Sequence, residues 1–422
     1  MSDTAAPAVS GTDPARSAKP EAPRSNQVLN DILNGNIVIS ILAVLFALII
    51  GAVLIAVTNE DVQAAAGYFF AAPGDTFSAI WNSVSGAYSA LFQGSIYNFR
   101  RDSFLDGIKP LTETLTFATP LIAAALGIGI AFRVGLFNIG GRGQMLIAAA
   151  CAGWVGFSFE LPWGVHLAIA VIAGIVGGAL WGGLVGLLKA RTGAHEVILT
   201  IMLNYVAFYL ISWMLRTPGL LQAPESVNPK SPAMLETAIF PDLLGPRYNL
   251  HLGFILVIVA TIFAWWLLNR SALGFQFRAV GENPNAARVA GINVKNTYVQ
   301  AMLISGGLVG LAGVMQVLGT VTTGFSAGID AGIGFDAITV ALLGRSRPLG
   351  IFAAGILFGA FKAGGFAMQA AEGIPIDIVT VVQSLIVLFI AAPPLIRAVF
   401  FLPKQGAPKR LKLNVSQEVA AK

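Results

Sequence analysis

The chain has 422 residues, of which 56% are hydrophobic and only 11% charged, with a formal net charge of +5. A soluble domain carries roughly 25% charged residues, so the composition excludes a soluble globular protein and places the chain in a lipid bilayer. The one cysteine, Cys151, excludes an intrachain disulfide and reads as a small core hydrophobe. The three histidines (His166, His195, His251) lack ligand spacing, so no metal site is assigned.

From the N-terminus, residues 1–35 are polar, rich in Ala, Pro and Ser, and aperiodic, which predicts a disordered tail. No cleavable signal peptide is expected, because the first apolar run is long enough to span and so to be retained as an anchor. A crossing helix needs about 20 apolar residues. Suitable runs cover 36–57, 112–132, 143–159, 163–188, 197–216, 251–269, 296–319, 347–368 and 377–401. A shorter one at 331–344 makes about ten transmembrane helices. That short run, and "GLFNIGGRGQM" ahead of the third span, are glycine-rich and read as broken helices. Such backbone is tolerated at membrane depth only where protein or a wet cavity covers it. The expected organisation is an all-α transmembrane domain over 36–403, with a basic tail at 404–422.

An even number of spans puts both termini on one side. With that side cytoplasmic, nineteen of the 26 Lys and Arg fall inside or at the inner boundary, Arg142 among them. The positive-inside rule selects this orientation over its reverse.

Two outer segments stand out. In residues 74–94, Phe77, Ile80, Trp81, Val84, Tyr88, Leu91 and Phe92 recur at helical spacing, with Asp75 or Thr76 placed to cap the start. The helix lies either in the outer interface or against the bundle. Residues 217–250 hold several prolines without sustained periodicity, a long external loop that is either functional or disordered. Further on, "GIGIAFRVGLFNIGGRGQMLIAAA" and "GIGFDAITVALLGRSRPLGIFAA" echo one another. This is the kind of sign an internal duplication leaves, and also one that glycine-rich segments produce by chance.

The stretch "RAVGENPNAARVAGINV", 278–294, interrupts the apolar pattern within a cytoplasmic loop at 270–295. Asn283 before Pro284 reads as an N-cap followed by a first-turn proline. Gly291 stands where a left-handed residue ends a helix. About two turns are marginal alone in water. They form either an ordinary capped turn or a docking helix whose alanines fit a partner's groove.

No Walker A pattern occurs, and not even one Gly-Lys pair, so the chain has no P-loop with which to cradle nucleotide phosphates. No HExxH or paired-carboxylate arrangement supports an enzyme. What remains is polar residues in the spans. Lys362 either snorkels to the interface or lines a pathway, where its ammonium would donate to a hydroxyl or carbonyl. Asn138, Gln144, Asn204, Gln369 and Gln383 can both donate and accept, as a polyol or nucleobase site requires. Alternatively they bridge helices. Asp336 suits an N-terminal cap, and Glu196 a first-turn acid on a helix dipole. The tryptophans suit a belt or packing role.

Several of these segments resemble, in order, one family. "FRAVGENPNAARVAGINV" is similar to the coupling loop of permease subunits of bacterial ABC importers for simple sugars, branched-chain amino acids and nucleosides. "ETLTFATPLIAAALGIGIAFRVGLFNIGGRGQ", "GAHEVILTIMLNYVAFYL", "GFDAITVALLGRSRPLG" and "KAGGFAMQ" resemble its nucleoside-uptake branch. The likeness runs from about Thr112 to Ile396. It implies a type II importer permease bundle in the bacterial plasma membrane, forming the pathway for a small polar solute. Gly281, Glu282, Asn283, Pro284, Ala286, Ala287, Arg288 and Gly291 would receive the motor. It further implies a second permease subunit, identical or homologous, an extracytoplasmic substrate-binding protein, and two ATP-binding subunits that hold ATP and Mg in this chain's stead. One departure is Arg142, where relatives often carry an acid, so no carboxylate role carries over there. The alternatives are a simple-sugar permease and an ion-coupled secondary transporter; the latter is disfavoured because nearly all charges sit at span ends.

Overall fold

The computed structural model describes residues 36–224 and 226–392, with Leu395 and Val399. The expected tails at 1–35 and 404–422 lie outside the described residues. By contacts, residues 46–391 form one compact unit, and the two chain ends form another. The compact unit is described here.

The elements in chain order are α1 (Asn36–Thr58), α2 (Glu60–Ala66), α3 (Pro73–Ser95), α4 (Phe104–Gly107), α5 (Lys109–Arg133), α6 (Gly141–Ser158), α7 (Val165–Thr192) and α8 (Glu196–Met214). A 3-10 turn at Glu236–Ala238 follows, then α9 (Gly253–Arg270), α10 (Ala272–Glu282), α11 (Pro284–Val289), α12 (Val294–Met315), α13 (Ile333–Leu343), α14 (Pro348–Glu372) and α15 (Asp377–Ala391). Among the described residues, six helices are long and apolar enough to cross a bilayer, or seven if the bent α1–α2 pair is one span. The runs at 331–344 and 377–401 yield the shorter helices α13 and α15, and the run at 143–159 yields α6, an 18-residue helix with Arg142 in its first turn. An eleven-residue α13 spans about half the hydrocarbon at 1.5 Å per residue.

The core is built on α5 and α12, the two most buried of the long helices. What lets helices close on them is small residues, since apolar side chains gain little by leaving lipid for one another. Gly174, Gly178 and Gly182 of α7 face Gly306 and Gly310 of α12. A β-carbon on Gly178 would lie 2.5 Å from the Gly306 carbonyl oxygen, and one on Gly306 only 2.4 Å from that of Gly178. The two backbones are in direct contact.

The same solvent logic decides between the two expected placements of α3. Its large apolar residues turn outward (Phe77, Trp81 and Phe92 are exposed) while Ser83, Ala87 and Ala90 are buried. Gly86 meets Glu372, whereas Gly94 meets Ala367 and the Gly364 α-carbon, so α3 runs antiparallel against α14, the second of the two placements. Neither expected capping residue caps it: Ala72 holds the N-cap position, a proline opens the helix, and Thr76 instead donates to the Ala65 carbonyl at 2.9 Å.

The 217–250 loop is an ordered cover over this unit. Ser231 N–H donates to the Phe325 carbonyl while the Ser231 hydroxyl accepts from Phe325 N–H, Leu235 N–H donates to the Gly156 carbonyl, and Phe240 N–H to that of Leu318. His166, on α7, is bound by Thr237 at 2.7 Å and the Val155 carbonyl at 3.0 Å, so its role is to fasten this loop.

Candidate functional site

The site starts from a break in helical backbone. After α5 ends at Arg133, the chain turns at Gly135, whose φ of +77° suits glycine, and runs non-helically to Gly140 before α6 begins. Non-helical backbone in a bundle must find hydrogen-bond partners. Asn138 and Gln144, both fully buried, form a reciprocal amide pair at 3.2 Å in each direction. Asn138 also accepts from Gly140 N–H at 2.9 Å and donates to the Ser305 hydroxyl of α12 at 3.0 Å. Asn204 on α8 accepts from Gly143 N–H at 2.8 Å and donates to the Ile139 carbonyl at 3.0 Å. Three of the expected pathway residues therefore come together, with their amides turned onto the broken segment and one another.

Replacing Asn138 by Ala leaves the Gly140 amide, the Gln144 amide and the Ser305 hydroxyl short of partners. An unsatisfied buried polar group costs about 1–3 kcal/mol, so Asn138→Ala should lower the thermal unfolding midpoint of the purified protein by several degrees. Asn138→Asp, which keeps the acceptor for Gly140, should lie between.

The N-termini of α6 and α13 converge at the break. A β-carbon on Gly141 would lie 2.7 Å from the Gly334 carbonyl oxygen, and one on Gly334 2.4 Å from Arg142 N. Around this point stand two ion pairs. Arg142 Nε is 3.2 Å from Asp330 Oδ1, with its guanidinium 4.7 Å from the Phe208 ring. Arg142 is thus drawn to an interior partner rather than to the inner boundary expected of it. Lys362 of α14 lies 3.9 Å from Asp336 and 3.5 Å from the Ala331 carbonyl, in a loop where Ala331 itself holds φ +46°. Asp336 does not cap α13 as expected, since Gly332 holds the N-cap position without a side-chain cap; Asp336 lies in the first turn and faces Lys362. Gln369 stands exposed on α14 beyond Lys362, and Gln383 of α15 reaches the Phe358 carbonyl at 3.5 Å.

Between α3 and α14 opens a recess of about 960 Å³, which Lys362 does not line; its walls include Ala363, Glu113, Lys109, Arg101, and the rings of Phe117 and Phe366. Those rings stack at 5.7 Å with 28° between their planes. Sequence reasoning missed Asp330, Ser305 and this aromatic pair. Arg142, as a cation in an apolar run, was the signal that an acid must stand near it.

At the end of the molecule where α10 and α11 lie, the local reading holds closely. Asn283 Oδ1 accepts from Asn285 and Ala286 N–H at 3.0 and 3.1 Å, Pro284 opens α11, and Gly291 adopts φ +84°. Glu282, Ala286, Arg288 and Val289 are exposed, while Ala287 is buried at 4%. Gly281 points inward: a β-carbon there would lie 2.2 Å from the Arg133 carbonyl oxygen. The exposed turn is thereby seated directly on the end of α5, seven residues of chain away from α6. Glu196, at the start of α8, accepts from Lys189 at 2.6 Å and from Phe137 N–H at 3.4 Å, holding the broken segment as well as its own helix end.

No solved structure matches the chain. It is 35% identical to the guanosine ABC transporter permease protein NupP of Bacillus subtilis over 373 residues, 88% of this chain and 98% of that one. It is 35% identical to the nucleoside ABC transporter permease protein NupB of Lactococcus lactis over 73% of this chain and 85% of that one. A glucose ABC transporter permease of Haloferax volcanii is 33% identical over 66% of this chain and 75% of its own length. The profile described as branched-chain amino acid transport system / permease component matches residues 111–391, two thirds of the sequence and the helices from α5 to α15, and the chain belongs to that family.

Proposed function

We propose that this chain is the membrane-spanning permease of an ATP-driven importer whose solute is a nucleoside. The observation that carries the reading is the near full-length likeness to a guanosine permease. The geometry supports it in two places. The capped α10–α11 turn exposes Ala286, Arg288 and Val289 and rests on α5 through Gly281, as a surface that receives force requires. The recess between α3 and α14 offers ring faces, cations and carboxylates, which suit the flat base and the hydroxyls of a nucleoside. In this reading the α10–α11 end is cytoplasmic, as are both termini. A second permease completes the pathway, two ATP-binding subunits supply the work and an extracytoplasmic binding protein delivers solute. Bacillus subtilis and Lactococcus lactis each hold two permeases of this kind, NupP with NupQ and NupB with NupC. That favours an unlike pair. Lys362 is proposed as the pathway residue, with Asn138, Gln144 and Asn204 as the fastening of the break.

The test places Ala286→Arg with Val289→Asp on the exposed side of α11 and leaves buried Ala287 alone. At equal permease abundance, ATP-dependent uptake of labelled guanosine should fall at least ten-fold. Undiminished uptake would refute the docking role. A glucose permease among the relatives gives the second reading, a sugar carrier; competition of guanosine uptake by excess glucose would favour it.

A further inference from the structure

At the end of the molecule where α10 and α11 lie, but to one side of them, three arginines from two helices and the start of a third converge without an acid among them. Arg133 ends α5, Arg278 sits in α10 and Arg347 precedes α14, and all three line a recess of about 660 Å³ whose other walls include Trp265, Asn269 and Leu349. None of its lining residues is acidic. The charges of Arg347 and Arg278 act on Arg133, with exposed Glu282 opposing them from outside the recess. Arg133 Nε donates to the Ser346 carbonyl at 2.9 Å. By contrast Arg278 Nη1 is buried and, among the described residues, has no hydrogen-bond partner. Three like charges around an unsatisfied donor destabilise one another unless an anion joins them.

The surroundings say which anion. The recess sits at the foot of α9, whose outward face is an unbroken apolar strip: Ile255, Ile258, Val259, Ile262, Phe263 and Trp266 are all exposed, at spacings of one, three and four. Trp265 closes the strip at the recess with Arg270 6.0 Å over its ring, and Leu349 stands two-thirds exposed on the opposite lip. Apolar strip, tryptophans, then clustered arginines is the order of layers in a bilayer leaflet from acyl chain to phosphate. A soluble anion would have no use for the strip, and a protein carboxylate none for its length.

We infer that the recess formed by Arg133, Arg278 and Arg347 binds the phosphate of one anionic phospholipid, whose acyl chains lie along the exposed face of α9. The guanidinium forks match phosphate oxygens, and Arg278 Nη1 gains the acceptor it lacks. Because Gly281, in the same helix as Arg278, abuts the Arg133 backbone, the lipid also ties the α10–α11 turn to α5 and α14.

Native mass spectrometry of the full-length chain, titrated with dioleoyl phosphatidylglycerol or dioleoyl phosphatidylcholine, tests this. One phosphatidylglycerol should be retained at least about ten-fold more strongly than phosphatidylcholine, and Arg278→Gln with Arg347→Gln should remove that preference. Lys295→Gln, which deletes one exposed charge near the same end, should leave it intact. Leu349→Glu touches no arginine, so it answers the case in which the double variant fails to fold; it too should abolish the preference. Equal retention of both lipids, or a preference unmoved by these variants, overturns the proposal. So does displacement of the lipid by equimolar glycerol phosphate, which would mark a soluble-anion site. A photo-crosslinker at position 349 in native membranes should capture a lipid-mass adduct; capture of a protein instead also overturns it.

Discussion

Gly178→Leu should abolish accumulation of folded protein. The new side chain would have to stand where the Gly306 carbonyl and the Gly310 α-carbon already lie, at 2.5 and 2.6 Å from its β-carbon alone. Those contacts are backbone, so no rotamer change relieves them, and α7 and α12 must separate along their shared length. Overpacking a core costs about 1–3 kcal/mol where side chains can shift; here the whole interface opens, and the loss exceeds that range. The comparison that makes the result specific is Gly307→Ala. Its β-carbon would meet only side-chain and backbone atoms at 3.5 Å or more, ordinary contact distance, so it should accumulate and unfold like the parent. Fluorescence-detected size exclusion of tagged protein from membranes reads both. A monodisperse Gly178→Leu peak at parental yield would mean the two helices are not held by backbone contact.

The second large effect belongs to Asp330. It is 4% exposed and is the ion-pair partner of Arg142, so Asp330→Ala strands a guanidinium beside the convergent helix ends. Breaking a buried pair from one side costs about 3–5 kcal/mol. Since the Arg142 side chain keeps 29% of its exposure, the lower end, about 3 kcal/mol, is expected. Arg142→Ala with Asp330→Ala removes both charges and should recover most of the loss, and the double-mutant cycle measures the coupling. Thermal unfolding in detergent supplies all four corners. Additive losses would show that the two side chains do not depend on each other.

Much of this molecule can be read from short stretches. The cap at Asn283, the proline after it and the stop at Gly291 are decided within nine residues, and the structure reproduces each. What could not be read is whatever closes over distance. Asn138 meets Ser305 across 167 residues and Arg142 meets Asp330 across 188, and no local pattern announces either partner. The tally of ten spans blurred for a related reason. Apolar runs mark what lipid or core will accept rather than helix length, and the run at 331–344 holds only the eleven residues of α13. On α3 the helical spacing was legible, but it left open which face turns inward. Large apolar residues at helical spacing mark the inward face of a helix in water, but in this bundle the inward face is marked by Ser83, Gly86, Ala87, Ala90 and Gly94.

The meeting of α6 and α13 head to head has one more effect. Each helix start carries roughly half a positive charge, and Arg142 and Lys362 are balanced by Asp330 and Asp336, so the middle of the protein keeps a surplus of positive potential. Sodium ions or protons driven inward by the cell's electrical gradient would climb that hill, while an uncharged solute would not feel it. A doorway wide enough for a sizeable neutral molecule could in this way open without short-circuiting the membrane.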